Sequence, residues 1–399
     1  MKKTLAAASI ATALLCSSLS VQASWQDTLS EAKGQTVYFN AWGGSDNINN
    51  YIMWAADRIK DEYNVTLKHV KLTDTSDAVN RVLAEKAANK NDNGSVDLIW
   101  INGENFRAMK SNQLLHGPFS QSLPNFANYV DENARQSLSQ DFGTPVEGME
   151  SPWGMAQVVF IHDTDTLTQP PSSIPALLTY AKANPGRITY PEPPQFLGST
   201  FLKQALYELT PHKKALLQPA DSVDFSKVTA PLWGYLDELH PVAWRSGQRF
   251  PSGSEEMIRL LDDQEIDVAL SFDVSAATIQ IDNGNLPESV RSYVFDDGTI
   301  GNTHFLAIPH NSGVKAGAEV VANFFLSPEA QAEKQKPSVW GDLSVLSYLK
   351  LSKEDQAQFD ALPKGIATLS IKELGKSLPE PHSSWVDALE KEWRSRYAK

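Results

Sequence analysis

The sequence predicts an α/β protein made of two lobes. Short β-branched and aromatic runs alternate with helical patterns along the chain, and this alternation indicates parallel sheets. Some of the runs are apolar throughout, which is typical of strands that are buried on both faces. The length points the same way, because single hydrophobic cores stop growing near about 250 to 300 residues and this chain has 399.

The first 23 residues predict a cleavable secretory signal. Lys2 and Lys3 precede an apolar run over residues 5–15, and the segment Val21–Ala23 supplies the small residues of a cleavage site. Cleavage after Ala23 removes 23 of the 399 residues and leaves a mature chain of 376. We therefore expect the protein to act in the periplasm.

The predicted mature chain has no thiol and a strong negative charge. Cys16 is the only cysteine and lies in the signal, so disulfides, Cys-ligated zinc and thiol nucleophiles are excluded. Leu15 stands where a lipoprotein signal needs a small residue, so no lipid anchor is expected. Loss of Lys2 and Lys3 reduces the 35 basic residues to 33 against 48 acidic ones, a net charge of −15. That charge argues against nucleic acid as a partner and against direct membrane insertion, and it mildly favours cationic ligands.

The first α/β unit is predicted near the start of the mature chain. Residues 36–40 form a short strand, and a helical pattern runs through residues 52–59. A strand over residues 65–70 and a helix over residues 77–88 come next. The run at 96–101 is nearly all apolar and leads into a polar loop. Ligands of parallel sheets bind at the carboxyl ends of strands, so the segments after the first and third strands are candidate site segments.

The same alternation continues to the end of the chain. Apolar or β-branched runs predict strands over residues 156–161, 187–190, 267–271 and 302–309. Helical patterns predict helices over residues 174–183, 201–209 and 317–326, a helix start at Ser275, and another at Ser327, which Pro328 and Glu329 follow as first-turn residues. The proline-rich residues 191–200 predict a long loop between a strand and a helix.

In their order and spacing, several of these segments resemble extracellular solute-binding proteins of family 1, the periplasmic receptors of ABC importers, and the YnjB-like branch above all. The matching segments are residues 97–106, 152–154, 190–193, 267–271, 307–309 and 322–331. The run Phe325-Leu326-Ser327-Pro328-Glu329-Ala330-Gln331 is the most specific of them. The resemblance covers nearly the whole mature chain, and better understood relatives bind thiamine, polyamines or ferric ion.

The resemblance implies a type II periplasmic binding protein fold, with two α/β lobes that close over a solute in the cleft between them. Lobe 1 would comprise residues 24–158 plus 302–335, and lobe 2 residues 159–301 plus 336–399, with crossover strands near residues 158–161 and 293–305. It also implies a small-molecule solute, an inner-membrane ABC permease with its ATPase as partner, a monomer and no cofactor.

The candidate site residues of lobe 1 follow predicted strand ends. Beside Gly43 and Gly44, Trp42 is a candidate for stacking on a ligand, and simple loop packing is the alternative. Ser45 is expected to cap the next helix, with Asp46 in its first turn. The remaining lobe 1 candidates offer amide, carboxylate or aromatic groups, and they are Asn102, Gly103, Glu104, Asn105 and Trp153. For Asn102 alone, an Asx-turn and helix cap is the alternative.

Lobe 2 is expected to contribute hydroxyl, amide and carboxylate groups from two segments. These residues are Gly198, Ser199 and Thr200 in the first segment, and Phe272, Asp273 and Ser275 in the second. The aromatic residues together with Asp46, Glu104 and Asp273 favour a small organic cation of the thiamine or polyamine type, whereas the serine-rich helix starts suggest an oxyanion.

Catalysis and metal binding receive little support from the sequence. The eight histidines are scattered without a His-Glu-x-x-His run, so no metal site is expected. The Gly-x-Ser-x-Gly elbow of serine hydrolases is missing. We therefore expect no enzyme activity, and the alternative is a secreted hydrolase or transferase that uses Glu104 and Asp273 as acid and base.

Overall fold

Eleven strands are described in the computed structural model, which covers residues 25–398. They are β1 (Thr36–Trp42), β2 (Thr66–Leu72), β3 (Leu98–Ile101), β4 (Gln140–Asp141), β5 (Thr144–Pro145), β6 (Glu150–Gln157), β7 (Val159–Asp163), β8 (Ala269–Ser271), β9 (Val290–Tyr293), β10 (Thr299–Ala307) and β11 (Ser377–Leu378). The predicted signal and its cleavage after Ala23 lie outside the described residues.

The helices of the same part of the chain alternate with these strands. They are α1 (residues 25–32), α2 (Asp46–Tyr63), α3 (Ser76–Ala87), α4 (Gly103–Ser111), α5 (Pro124–Tyr129), α6 (Ile174–Ala183), α7 (Phe196–Leu209), α8 (Phe225–Leu239), α9 (Ser254–Asp262), α10 (Ala276–Asp282), α11 (Lys315–Phe325), α12 (Pro328–Gln335), α13 (Lys353–Asp360), α14 (Ile371–Leu374) and α15 (Ser384–Tyr397). Within residues 25–398, no helix has the length and apolarity that a membrane crossing requires.

The larger sheet has six strands in the order β11-β10-β3-β1-β2, with β6 also paired to β10. Strands β2 and β3 run parallel to β1 on either side of it, whereas β10 runs antiparallel to β3 and β6. Parallel strands end at the same edge of a sheet. The residues that follow β1 and β3 therefore lie at one edge.

The smaller sheet consists of β8, β7 and β9, with β7 antiparallel to both neighbours. Val158 separates β6 of the larger sheet from β7 of the smaller one, so the predicted strand over residues 156–161 is two strands in different sheets. The predicted strand over residues 187–190 is reduced to a single parallel bridge between Ile188 and Val268.

Local hydrogen bonds explain where several helices begin. Ser173 caps α6 by accepting from the Ala176 amide at 3.2 Å, and Ser327 caps α12 by accepting from the Ala330 amide at 3.1 Å. Both helices start where the sequence predicts. In α7 the Gln195 side chain accepts from the amides of Leu197 and Gly198 at 2.7 and 3.2 Å. The helix therefore begins at Phe196, and the predicted loop over residues 191–200 is wrong in its second half.

Hydrophobic clusters define two lobes. In lobe 1, Phe39 and Phe325 belong to a cluster on one face of the larger sheet, and a smaller cluster around Phe106 covers the other face. The largest cluster belongs to lobe 2 and includes Phe160 and Trp385. Since both faces of the larger sheet are covered, its central strands are apolar throughout.

The chain passes between the clusters at three places. It crosses at Val158, again within β10, and a third time between Val345 of the lobe 1 cluster and Ala367 of the lobe 2 cluster. The lobe boundaries given by the resemblance stay a prediction. Trp340 and Val345 pack in the lobe 1 cluster, although that prediction assigns residues 336–399 to lobe 2.

Candidate functional site

Trp42 presents its indole ring at the end of β1. It is the last residue of the strand, opposite Leu72 of β2, and not a loop residue as the sequence suggests. Its side chain is 41% exposed. A Cβ on Gly44 would lie 2.3 Å from Cζ2 of this ring, so only glycine allows the ring to rest there. The ring is thus supported by backbone on one side and accessible from outside.

The helix start after Trp42 carries a negative charge. Gly43 holds the turn, since its N–H donates to the Leu72 carbonyl at 3.0 Å and its own carbonyl accepts from Asn49 Nδ2 at 3.0 Å. Ser45 caps α2 by accepting from the Ile48 amide at 3.5 Å, and Asp46 occupies the first turn. The carboxylate of Asp46 already complements the positive end of the helix, which disfavours an oxyanion there.

A helix, not the predicted loop, follows β3. Asn102 has the extended backbone of an N-cap, and Gly103 to Asn105 form the first turn of α4. Gly103 has φ +47 and donates its N–H to Asp141 Oδ2 at 2.6 Å. Burial raises the pKa of Glu104 to about 7. This strand end therefore carries a carboxyl group that is only partly ionised at neutral pH.

Glu104 belongs to a group of acids around one lysine. Lys203 of α7 lies 2.6 Å from Glu380, and the two side chains are 2% and 3% exposed. Burial raises the pKa of Glu380, and Lys203 only partly offsets this effect. The pKa values of Asp141 and Glu390 are also raised, chiefly by burial. Carboxyl groups from both lobes thus outnumber the positive charge that they share.

Aromatic rings flank the same lysine. Lys203 Nζ lies 4.5 Å from the ring centre of Phe142 in lobe 1 and 5.7 Å from that of Phe196 in lobe 2. Phe196 is 38% exposed and meets Phe272 edge to face at 5.3 Å. Rings therefore line the junction between the lobes, where they can contact an apolar or cationic group.

The sequence prediction misses Lys203, Glu380, Asp141 and Phe142. Lys203 had a usable signal, because it is the one charged residue in the apolar stretch of α7 before Glu208. Glu380 lies between two prolines and Asp141 in a two-residue strand, and neither pattern distinguishes a buried acid.

Gly198, Ser199 and Thr200 lie in the first turns of α7 and are buried. A Cβ on Gly198 would lie 2.3 Å from the Pro191 carbonyl oxygen, so this glycine allows close packing of backbone. Ser199 Oγ donates to Glu390 at 2.6 Å, and Thr200 Oγ1 donates to the Phe196 carbonyl at 2.8 Å. These hydroxyls already have protein partners, so the structure gives them a packing role instead of the loop position predicted for them.

Asp273 and Ser275 lie at the second contact between the lobes. The Ser275 amide donates to Asp273 Oδ1 at 2.9 Å, and Ser275 Oγ donates to the carbonyl of Gly341 in lobe 1 at 3.1 Å. Burial raises the pKa of Asp273 to about 7, and Asp342 of lobe 1 adds to the rise. Asp273 is therefore a second carboxyl group that is partly protonated at neutral pH.

Trp153 does not line the cleft. It is 0% exposed and packs against Phe39, Phe325 and Trp340, with ring centres 5.9, 4.9 and 5.3 Å away. The sequence places an aromatic wall at this position because a glycine follows it. In the structure its strand, β6, turns the indole into the core of lobe 1.

Asp342 is held in a charge-balanced group beside this core. Lys334 Nζ lies 2.5 Å from its Oδ2, and His304 Nε2 lies 3.1 Å from its Oδ1. Burial alone would raise the pKa of Asp342, but Lys334 and His304 lower it below its usual range. Among residues 25–398, no group of three or more His, Cys, Asp or Glu side chains is arranged to hold a metal ion.

A sequence profile described as bacterial extracellular solute-binding protein matches residues 54–361. The chain belongs to this family. Bacterial extracellular solute-binding proteins are the solute receptors of ABC transporters, so this one binds a small molecule, has an ABC permease as partner and acts in the periplasm. The family is a class of transport proteins and not a class of enzymes.

Similar proteins extend this assignment over nearly the whole chain. Protein YnjB of Escherichia coli (strain K12) is 47% identical over 381 residues, which is 95% of this chain and 96% of YnjB. The YnjB-like branch indicated by the sequence is thus confirmed.

Solved structures of the same fold have diverse ligands. A Listeria monocytogenes protein described as a candidate spermidine/putrescine ABC transporter has a TM-score of 0.63 at 16% identity, over 90% of this chain and 98% of its own. A periplasmic binding protein of Actinobacillus pleuropneumoniae with fructose-6-phosphate bound has a TM-score of 0.62 at 14% identity, over 91% and 98%. The apo ferric ion-binding protein of Pasteurella haemolytica has a TM-score of 0.61 at 11% identity, over 90% and 97%. These likenesses confirm the type II periplasmic binding protein fold with two α/β lobes.

Proposed function

We propose that this receptor captures a small organic cation of the thiamine or polyamine type between its lobes and delivers it to an inner-membrane permease with its ATPase. The observation that carries the proposal is the excess of buried and half-buried acids over cations where the lobes meet. Glu104, Asp141, Glu380 and Glu390 all lie within electrostatic reach of the buried ammonium of Lys203.

The raised pKa values explain why such a site favours a cation. Burial removes water from a carboxylate and penalises its charged form, which raises the pKa of Glu104 and of Asp273 to about 7. A positive ligand between them would restore the lost stabilisation and return the groups to their charged form. An anion would increase the repulsion among the same groups.

The aromatic residues support the same ligand class. Phe196 in lobe 2 stays exposed 5.7 Å from Lys203 Nζ, and Trp42 in lobe 1 stays exposed at the sheet edge where β3 also ends. Aromatic faces attract ammonium and thiazolium-like cations through the ring quadrupole. The curated relative and the solved structures leave the ligand open, so the chemistry of these side chains is what supports the choice.

Catalysis by Glu104 and Asp273 is the weaker alternative. The charged neighbours of Glu104 are Lys203, Glu390 and Asp387, whereas the charged neighbour of Asp273 is Asp342. An acid and a base must reach the same bond. Two carboxyl groups with separate surroundings fit two contacts on one ligand better than one reaction centre.

Calorimetric titration tests the ligand class. Spermidine, putrescine and thiamine are compared with sulfate, phosphate and citrate, and solute released on denaturing the purified protein is identified by mass spectrometry. We expect a cation to bind with a Kd of about 1 μM or tighter and to raise the melting temperature by mass action. Glu104→Gln should weaken this binding, whereas Glu255→Gln, an exposed acid at the start of α9, should leave it unchanged. Binding of oxyanions alone would overturn the proposal.

The second part of the proposal is that the receptor is a monomer whose lobes close over the ligand. A monomer that closes by a hinge should become more compact in small-angle scattering when a bound cation is present. An unchanged radius of gyration with saturating ligand would argue against closure and leave the choice of ligand intact.

A further inference from the structure

A second groove lies at the outer edge of the larger sheet. It encloses about 780 Å³ and is floored by Met155, Gln157 and Asn302 of β6 and β10. In the sheet β6 lies on one side of β10, while β3 and β1, whose ends carry the lobe 1 site residues, lie on the other. All the site residues that the sequence predicts fall within residues 25–398, and none of them lines this edge groove. The edge groove is thus lined by other residues than the candidate site, although Asn302 on its floor lies 3.5 Å from Glu380 Oε1 of that site.

Arg135 provides the positive charge of the edge groove. Its side chain is exposed at the rim of the groove, and its hydrogen bond within the described residues is to the sulfur of Met155, at 3.0 Å from Nη1. No carboxylate of residues 25–398 lies within ion-pair distance of it, whereas Arg107 pairs with Asp387 at 3.0 Å. Burial without an acid lowers the pKa of Arg135. A guanidinium has five N–H donors, so this one retains donors for a ligand.

The walls of the edge groove are mixed. Leu138, Leu343, Leu346 and Phe359 contribute apolar surface. Two acids, Asp131 and Asp360, also line it, but each already accepts a hydrogen bond. Asp131 accepts from the Asn133 amide at 3.1 Å, and Asp360 accepts from the Tyr348 hydroxyl at 2.8 Å. An apolar body with an anionic end would match the apolar walls and Arg135, whereas a cationic group would face Asp131 and Asp360.

We propose that the edge groove is a second ligand site, which takes a carboxylate attached to an apolar body and binds the carboxylate through Arg135. Planar guanidinium and carboxylate groups match in a two-bond arrangement. The volume of about 780 Å³ lies in the range of small-molecule sites. The same chemistry occurs in simple aliphatic acids and in amino acids with apolar side chains. An ammonium group of the latter would face Asp131 and Asp360.

Three probes with one apolar chain and different head groups test the proposal by calorimetry. They are octanoate, 2-aminooctanoate and octylammonium. We expect octanoate to bind in the submillimolar range and octylammonium not to bind. Arg135→Gln should lower the affinity for octanoate by about tenfold or more, the usual loss for a charge-assisted hydrogen bond. Arg135→Lys should lower this affinity less. Arg81→Gln, an exposed arginine of α3, is the matched control and should change nothing.

The amino acid arm separates the two sources of carboxylate. Tighter binding of 2-aminooctanoate than of octanoate assigns the site to amino acids, and the reverse assigns it to simple acids. Trp42→Ala should not alter either affinity, because Trp42 lies at the end of β1 and does not line the edge groove. The proposal is overturned if neither carboxylate binds at millimolar concentration, if octylammonium binds as tightly as octanoate, or if Arg135→Gln retains full affinity. The comparison of head groups on the unmodified protein holds even where a variant unfolds.

Discussion

Lys334 and Lys203 are both buried and both paired with an acid, but only the first lies in balanced surroundings. Lys334 Nζ donates to Asp342 at 2.5 Å and to the Leu343 carbonyl at 2.9 Å, and His304 completes the shell of the carboxylate. These partners lower the pKa of Asp342 below its usual range. The carboxylate of Asp342 therefore has enough positive charge around it without a ligand.

Lys203 lies in a different environment. It pairs with Glu380 at 2.6 Å, yet the pKa of Glu380 stays above its usual value, as do those of Glu104 and Asp141 nearby. One ammonium is shared among several carboxyl groups from both lobes. The comparison teaches that burial of charge alone does not mark a ligand site, whereas a shortage of counter-charge does.

The largest effect is expected from breaking the balanced group. Lys334→Met leaves Asp342 buried beside His304 without its main partner, and such losses cost about 3 to 5 kcal/mol. The free energy of unfolding in urea measures the change. The double variant Lys334→Met with Asp342→Leu should recover much of the loss, because no unpaired charge then remains. Equal losses of stability in the single and double variants would contradict the charge balance between Lys334 and Asp342.

Removal of the other lysine should cost less. Lys203→Met leaves Glu380 able to take a proton, since its pKa is raised even with the lysine present, so we expect a loss of about 1 to 3 kcal/mol at pH 8. An acid with a raised pKa in the folded state destabilises as pH rises through that value. The loss should therefore be smaller at pH 5 than at pH 8. Urea unfolding at the two pH values measures it, and a loss independent of pH would count against the acid-rich description.

Affinity for a cation should depend on pH through Glu104. Its pKa of about 7 means that it is mostly protonated at pH 6 and mostly charged at pH 8, as is Asp273. A cation favours the charged form, so affinity should rise from pH 6 to pH 8 with release of protons. The groups facing Glu104 are Lys203, Glu390 and Asp387.

The variant Glu104→Gln isolates that contribution. We expect about tenfold weaker cation binding at pH 8, which is about 1.4 kcal/mol, and a flatter pH profile. Calorimetry in buffers of different ionisation enthalpy counts the protons released. The variant should also melt higher than the unmodified protein at pH 8 without ligand, because it lacks a buried charge. An unchanged proton count would remove Glu104 from the site.

The smallest effect is expected at Trp42. Trp42→Ala should weaken the binding of a cationic ligand by about 0.5 to 2 kcal/mol. The melting temperature without ligand should stay nearly unchanged, since the ring is partly exposed. Trp153→Ala is the matched control and should lose about 3 to 5 kcal/mol of stability. Calorimetry and thermal melting on both variants decide the matter. A large stability loss for Trp42→Ala with unchanged affinity would assign it to the core.

The alternation of strands and helices was enough to predict the fold class. The spacing of apolar residues and the residues that cap helices can both be recognised within short stretches of sequence. The helices at Ile174 and Pro328 begin at the predicted residues. The start of α7 was not predictable in this way, since Gln195 caps it from a proline-rich segment that reads as a loop. A cap supplied by glutamine has no strong sequence signal.

Only the part of the candidate site that lies at strand ends could be predicted from the sequence. Trp42, Glu104 and Asp273 lie at strand ends, where parallel sheets place ligands. Lys203 and Glu380 are 177 positions apart in the sequence, so no local sequence pattern predicts that they form a buried pair. Trp153 shows the opposite error, because an aromatic residue beside a glycine looks exposed until the facing core is known.

The position of β6 and β10 between cleft and edge groove has a mechanical consequence. Lobe 1 supplies Arg135 and Leu343 to the edge groove, and the segment that joins lobe 2, Ser377 to Pro379, supplies the facing wall. If the lobes close as proposed, β6 and β10 bend toward the cleft and the opposite side of the molecule widens. The width of the edge groove would then differ between the open and the closed receptor, and a membrane partner that touches only this surface would meet a different shape in each state.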